Sequence, residues 1–245
     1  MGHLRIDPRA RCPTRVHRAR IAAALITAVA VGQVGARAQS PDEQLVLHYR
    51  ALNAKTDSLI EVSSMTLTWT ADGRVQAVWS SEAGDDVGEE SLLGPDFATL
   101  SWRVRFPDNG YDYAGERRGD TVVVEGLING TVMRKELEID DRPFYYNWKL
   151  GIVDFVRSGE EKRKYWVFRP DNQTAYVFEA QRKEEGVLTV GGEDVSAVKI
   201  EWGLTGLRRM FYKGNQWYRA DDGYFLYEER DGRIEEWIRD SLISH

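Results

Sequence analysis

The sequence predicts an all-β fold, mainly antiparallel, carrying one short helix. Three observations predict it. From residue 62 onward apolar residues mostly alternate with polar ones, the period of strands with one buried face. Turn pairs such as Asp72-Gly73, Asn129-Gly130 and Asp231-Gly232 punctuate the runs at short intervals, because Asn, Asp and Gly tolerate the positive φ of a tight hairpin. One segment breaks the rhythm: Trp148, Ile152, Phe155 and Val156 recur at helical spacing between Pro143 and Gly159.

Taken in order, the clearest unit is a hairpin over 62–79. Met65, Leu67 and Trp69 alternate with threonines, Asp72-Gly73 turns the chain, and Val75, Ala77 and Trp79 share the returning face. Leu100, Trp102, Val104 and Phe106 lie in one strand, turned at 108–110. Strands follow at 111–117, 121–127 and 131–139, with turns at 118–120 and 129–130. After a helix over 146–157, strands are expected at 165–169, 175–182, 186–190, 195–202, 209–212, 216–219, 224–229 and 234–239. At 42–52 the pattern is ambiguous. Ser40-Pro41-Asp42-Glu43 is a capping box with proline at the first helical position. Leu45, Leu47, Tyr49 and Ala51 nevertheless alternate as in a strand.

Aromatic residues carry the positive signal. All eight tryptophans lie beyond residue 38, and Tyr165-Trp166 and Trp217-Tyr218 are adjacent pairs. Neighbours in a strand point to opposite faces, so neither pair can enter one core together. A curved sheet with an apolar concave face and a partly covered convex face uses both, and the helix is expected on the concave face or plugging one end.

Residues 1–38 are expected to be a cleavable secretory signal. Six arginines and one aspartate fill residues 1–20, an uncharged run IAAALITAVAVG follows, and Ala36-Arg37-Ala38 is a small-residue cleavage site. The apolar run is shorter than the roughly 20 residues a membrane span takes, and no later segment is long and apolar enough. Residues 39–245 then form a single β-rich domain, exported to the periplasm. Processing removes seven arginines and one aspartate, leaving 26 basic and 38 acidic residues and a net charge of −12. That balance opposes nucleic-acid binding.

The chemistry permitted is narrow. The single cysteine, Cys12, precedes the apolar run, so the processed chain has no thiol for catalysis, a disulfide or a zinc-thiolate site. Its histidines are His48 and His245, neither in a catalytic or metal-binding motif. No phosphate-cradling glycine loop is present. No catalytic residue, metal or cofactor is therefore expected. Carboxylates alone leave room for glycosidase-type chemistry, in clusters at Asp85-Asp86 with Glu89-Glu90, Asp140-Asp141, Glu184-Glu185 and Asp221-Asp222. The first is also a candidate calcium loop, without EF-hand spacing.

The runs Asp140-Asp141-Arg142-Pro143-Phe144-Tyr145-Tyr146, Leu150 to Gly159, Tyr165 to Pro170, Phe178 to Lys183 and Trp217 to Tyr227 resemble in order and texture a family of exported Gram-negative proteins of unknown function. That family is similar in architecture to the periplasmic lipoprotein-carrier half-barrels. The resemblance implies a strongly curved half-barrel sheet wrapped around a short helix, an apolar interior and a first strand near 45–51. In carriers such an interior receives acyl chains.

The leading expectation is a non-catalytic periplasmic protein binding a lipid, acyl chain or lipoprotein in the half-barrel. The expected lining is Met65, Leu67, Trp69, Trp79, Trp102, Phe155, Trp166, Phe178 and Trp217. The alternatives are a structural or protein-interaction module of the cell envelope, with an open sheet edge or exposed patch in place of a cavity, and a carboxylate-dependent glycan hydrolase.

Overall fold

Alternating patterns this long can bury their apolar positions only by bringing the strands into one sheet and curling it. The computed structural model describes residues 43–81, 88–210 and 212–239. The expected signal, its cleavage site and the Asp85-Asp86 pair lie outside the described residues. The strands are β1 (Gln44–Asn53), β2 (Leu59–Trp69), β3 (Val75–Ser81), β4 (Gly88–Leu93), β5 (Thr99–Phe106), β6 (Tyr111–Arg118), β7 (Thr121–Ile128) and β8 (Thr131–Glu138). Helix α1 (Trp148–Ser158) follows. Then come β9 (Lys162–Arg169), β10 (Thr174–Val190), β11 (Glu193–Leu204), β12 (Lys213–Arg219), β13 (Phe225–Arg230) and β14 (Arg233–Ile238).

All belong to one open sheet in the order β8 to β1, then β14 to β9, every neighbouring pair antiparallel. Short hairpins join β6 to β7, β7 to β8, β10 to β11 and β13 to β14. At Asn129-Gly130 and Asp231-Gly232 both central residues have positive φ, the backbone that matches strand twist in two-residue turns. The first and last strands, β1 and β14, pair in the middle of the sheet. The free ends are therefore β8 and β9, joined through α1.

Helix α1 starts at Asn147, whose side chain accepts from the Leu150 amide at 3.4 Å, and stops at Gly159, which takes the left-handed conformation. Leu150, Gly151, Ile152, Val153, Phe155 and Val156 are all buried. Burial around most of its circumference marks a helix enclosed by other structure, and α1 packs with inward residues of β1–β3 and β9–β13 in one core.

A second core lies on the other side of β9. Tyr165 and Val167 face α1, whereas Trp166 and Phe168 pack against Trp102, Val104, Tyr113, Val122 and Val124. These last are inward residues of β5–β7, in register with Ala77 of the first core through Ser91. The β9 end of the sheet thus tucks under the concave face of β5–β8, and β9 is covered on both faces. Residues 143–146 seal the seam. The Trp166 amide donates to Pro143 O and the Tyr145 amide to Trp166 O, both at 2.8 Å, while the Thr99 amide donates to Phe144 O at 2.8 Å. Phe144 enters the second core and Tyr145 the first.

The expected fold class holds, with differences in detail. The ambiguous segment at 42–52 is strand β1. Expected strands at 175–182 and 186–190 are one strand, β10, with an irregularity between Arg182 and Glu184. Residues 206–210 form a 3-10 turn where a strand was expected to begin at 209. Strand β4 escaped the sequence reading, because Gly88, Glu89 and Glu90 read as an acidic loop. No helix among the described residues is long and apolar enough to cross a membrane.

A Cβ at Gly151 would lie 2.2 Å from Cγ of the buried Tyr145 ring. Alanine raises helix propensity by about 1 kcal/mol, but overpacking here is expected to outweigh it, for a net loss of about 1–2 kcal/mol. Urea unfolding of Gly151→Ala measures the difference; a gain in stability would show that the ring gives way freely.

Candidate functional site

The core around α1 is not filled to both ends. Where the helix begins, the interior opens into a cavity of about 420 Å³. Its walls carry Trp79, Phe106, Tyr146, Trp148, Phe178 and Tyr212, with Glu89, Lys149 and Glu235 among them. The aromatic wall is braced from behind. Trp148 meets Trp202 edge-on at 4.0 Å, Phe178 meets Tyr212 edge-on at 5.8 Å, and Tyr146 stacks on Trp102 at 4.9 Å. Arg230 lies over the rings of Trp202 (5.1 Å) and Tyr212 (5.2 Å) and donates to the Tyr212 hydroxyl at 2.9 Å.

The polar side of the cavity centres on Lys149, in the first turn of α1. Its ammonium pairs with Glu235 and sits 4.6 Å from the Phe225 ring centroid and 5.4 Å from that of Trp79. A cation in a helix's first turn opposes the helix dipole, so its partners must hold it there. Glu89 stands across from Trp79 on the inward face and accepts from the Tyr146 hydroxyl at 3.4 Å, which lies 3.0 Å from that of Tyr113. Burial pushes the Glu89 carboxyl up and the Glu235 charge adds to this, against the Lys149 charge and the Tyr146 hydrogen bond.

Glu228 lies directly across from Glu235 on the neighbouring strand, so the two carboxylates share the inward face. One Glu228 oxygen accepts from Gln216 at 3.1 Å, and Gln216 in turn accepts from the Tyr218 hydroxyl at 2.7 Å. The other is buried without a hydrogen-bond partner. Burial raises the Glu228 carboxyl above its ordinary value, opposed by Lys149, Gln216 and Arg230 and reinforced by Glu235. No group of acids or histidines among the described residues has the arrangement of a metal site.

Of the nine residues expected to line a cavity, Trp79 and Phe178 line this one, and Trp102 borders a separate groove with Ser91, Gly115 and Val123. Met65, Leu67, Trp69 and Phe155 sit in the closed core around α1. Trp102 belongs to the second core behind Tyr146. Trp166 is on the opposite face of β9 from Tyr165, its indole donating to Asp140 at 2.8 Å. Trp217 lies on the outer face beside Lys199. Sequence reasoning missed Tyr146, Trp148, Lys149, Tyr212 and Glu235 as lining, and Glu89 was weighed only as part of an acidic cluster. Lys149 had a signal: it is the one charged residue in the first turn of a helix whose next four residues, Leu150 to Val153, carry no polar side chain.

Most remaining acid clusters are engaged in local structure. Asp140 accepts from Trp166 and pairs with Arg142. Glu184 pairs with Lys199, Glu185 with Arg182 and Asp222 with Arg219.

This arrangement defines a β-barrel-like protein: a curled antiparallel sheet around one helix, with an aromatic cavity at the end where the helix starts. No family model matches the chain, and no curated protein matches it. Among solved structures it is similar to the crystal structure of a β-barrel-like protein of domain of unknown function DUF1849 from Brucella abortus. The TM-score is 0.53, over 81% of this chain and 96% of that one, at 7% identity. At that identity the likeness is one of fold.

Because burial raises the Glu228 carboxyl in the folded state, the folded protein holds this proton more tightly than the unfolded chain. Stability from this group is therefore greatest below the ordinary carboxylate value and is lost as pH rises toward the raised one. Glu228→Gln keeps the acceptor for Gln216 and has no charge to bury. It is expected to be more stable than wild type at pH 7.5 and to lose that advantage at pH 4, read from urea midpoints. An advantage independent of pH would show that packing, not charge burial, separates the two.

Proposed function

We propose that this protein is a non-catalytic envelope protein that binds an apolar ligand, an acyl chain or other lipid segment, inside its curled sheet. The observation that carries the reading is the interior cavity of about 420 Å³ walled by Trp79, Phe106, Trp148, Phe178 and Tyr212. Its size falls within the roughly 300–1,000 Å³ of small-molecule sites, and its wall pairs a band of aromatic rings with the polar groups of Glu89, Asn147, Lys149, Arg169 and Glu235. The arginine-rich N-terminus, apolar run and Ala36-Arg37-Ala38 site support export to the periplasm. The resemblance of the sequence to an exported family of unknown function, itself similar in architecture to the lipoprotein-carrier half-barrels, supports a lipid or lipoprotein as the cargo. Of the acid clusters weighed for hydrolysis, Asp140, Glu184, Glu185 and Asp222 are engaged in ion pairs.

One observation favours a second reading, a protein-interaction module. Strand β8 ends the sheet with one edge unpaired by another strand, and Val132 on it is 81% exposed, the kind of edge to which a partner strand adds.

The test is native mass spectrometry of the protein purified from the envelope fraction, followed by lipid extraction. The wild type is expected to carry a reproducible apolar adduct. Phe106→Lys, which sets a cation on the cavity wall at the end of β5, is expected to lose it while keeping the folded circular-dichroism spectrum, with a lower urea midpoint because Phe106 also packs on the second core. An adduct retained by the folded variant would place the ligand elsewhere. A bare wild-type mass, with an added long-chain alcohol also failing to bind, would end the cavity reading in favour of the β8 edge.

A further inference from the structure

The charges of the cavity are unequally partnered, and the one left over is a carboxylate. The charged residues lining the cavity are Glu89, Glu235, Lys149 and Arg169, and Glu228 stands across the strand from Glu235. Lys149 is committed to Glu235 and to the faces of Trp79 and Phe225. The guanidinium groups nearest the cavity have carboxylates of their own: Arg169 is held by Asp171 at 2.8 Å and 3.1 Å, and Arg230 by Asp231 at 3.0 Å. Among the described residues Glu89 has only the long 3.4 Å hydrogen bond from Tyr146, and Glu228 keeps one oxygen buried and unpartnered. A carboxylate taken out of water without a cation is unfavourable, and a ligand that brings one recovers that loss. Trp79, Phe106, Tyr146, Trp148, Phe178 and Tyr212 add ring faces to the wall, and ring faces attract cations.

We propose that the ligand of this cavity is an amphiphile bearing a protonated amine, with Glu89 accepting from the ammonium and the aromatic wall enclosing the apolar body. Glu89 is suited to this role by position. It lines the cavity itself, across the strand from Trp79, whereas Glu228 sits behind Glu235 and adds its field. The acidic balance of the chain beyond residue 38 also draws cations toward the molecule.

This inference rests on the interior cavity being the ligand site, and the two can fail separately. The probes are dodecylamine, dodecanol and dodecanoate, titrated below their micelle concentrations against the mature protein at pH 7 and followed by tryptophan fluorescence. The amine is expected to bind at least about tenfold more tightly than the alcohol, the scale of a charge-assisted hydrogen bond. Glu89→Gln is expected to bring the amine down to the affinity of the alcohol and to leave the alcohol unchanged. Equal binding of amine and alcohol by wild type overturns the amine assignment while the cavity reading stands. Tightest binding of dodecanoate overturns it in favour of Lys149 as the polar anchor. Failure of all three overturns both. The comparison on wild type decides the matter even if the variant does not fold.

Discussion

Two-sided burial of β9 is the constraint on which the rest of this structure depends. An open sheet has two ends, and here the chain brings one under the other, so that Trp166 and Phe168 pack on the concave face of β5–β7 while Tyr165 and Val167 face the helix. The free edge of β9 is then covered by residues 143–145, which supply a short parallel bridge in place of a strand. Without that seam, two rows of aromatic side chains and a line of backbone donors would meet water.

The seam also sets where the helix goes. Residues 143–147 run from the second core, through Phe144, to the first, through Tyr145, and deliver Asn147 as the cap of α1. The helix therefore enters the sheet from a fixed point and fills the interior with Ile152, Phe155 and Val156. It leaves the end around Trp148 and Lys149 unfilled. The cavity is thus a consequence of the closure. The same turn of helix that borders it brings the one ammonium among Glu89, Glu228 and Glu235.

Much of the fold was legible in the sequence because hairpins between sequential strands are local. Asn129-Gly130 and Asp231-Gly232 turn the chain with the positive φ their residue types permit. The helical spacing of Trp148, Ile152, Phe155 and Val156 marks α1 to within two residues. Adjacent aromatics at Tyr165-Trp166 required a strand covered on both faces, and β9 is such a strand. What failed was local as well: Gly88-Glu89-Glu90 has the composition of a loop, yet β4 forms because β3 and β5 pair with it from both sides.

By itself the sequence determined an antiparallel sheet, one buried helix and an excess of aromatic residues, since period, turn chemistry and composition are carried by neighbours along the chain. Tertiary structure alone decided which aromatics face a cavity. Trp79 and Phe178 line it, Met65 and Phe155 are sealed in the core and Trp217 faces outward, because facing depends on register and on the bulge between Trp217 and Tyr218. It also decided that Lys149, Glu89, Glu228 and Glu235, far apart in the chain, share one interior. Long-range electrostatics of that kind follows from how the sheet is rolled, and no local pattern encodes it.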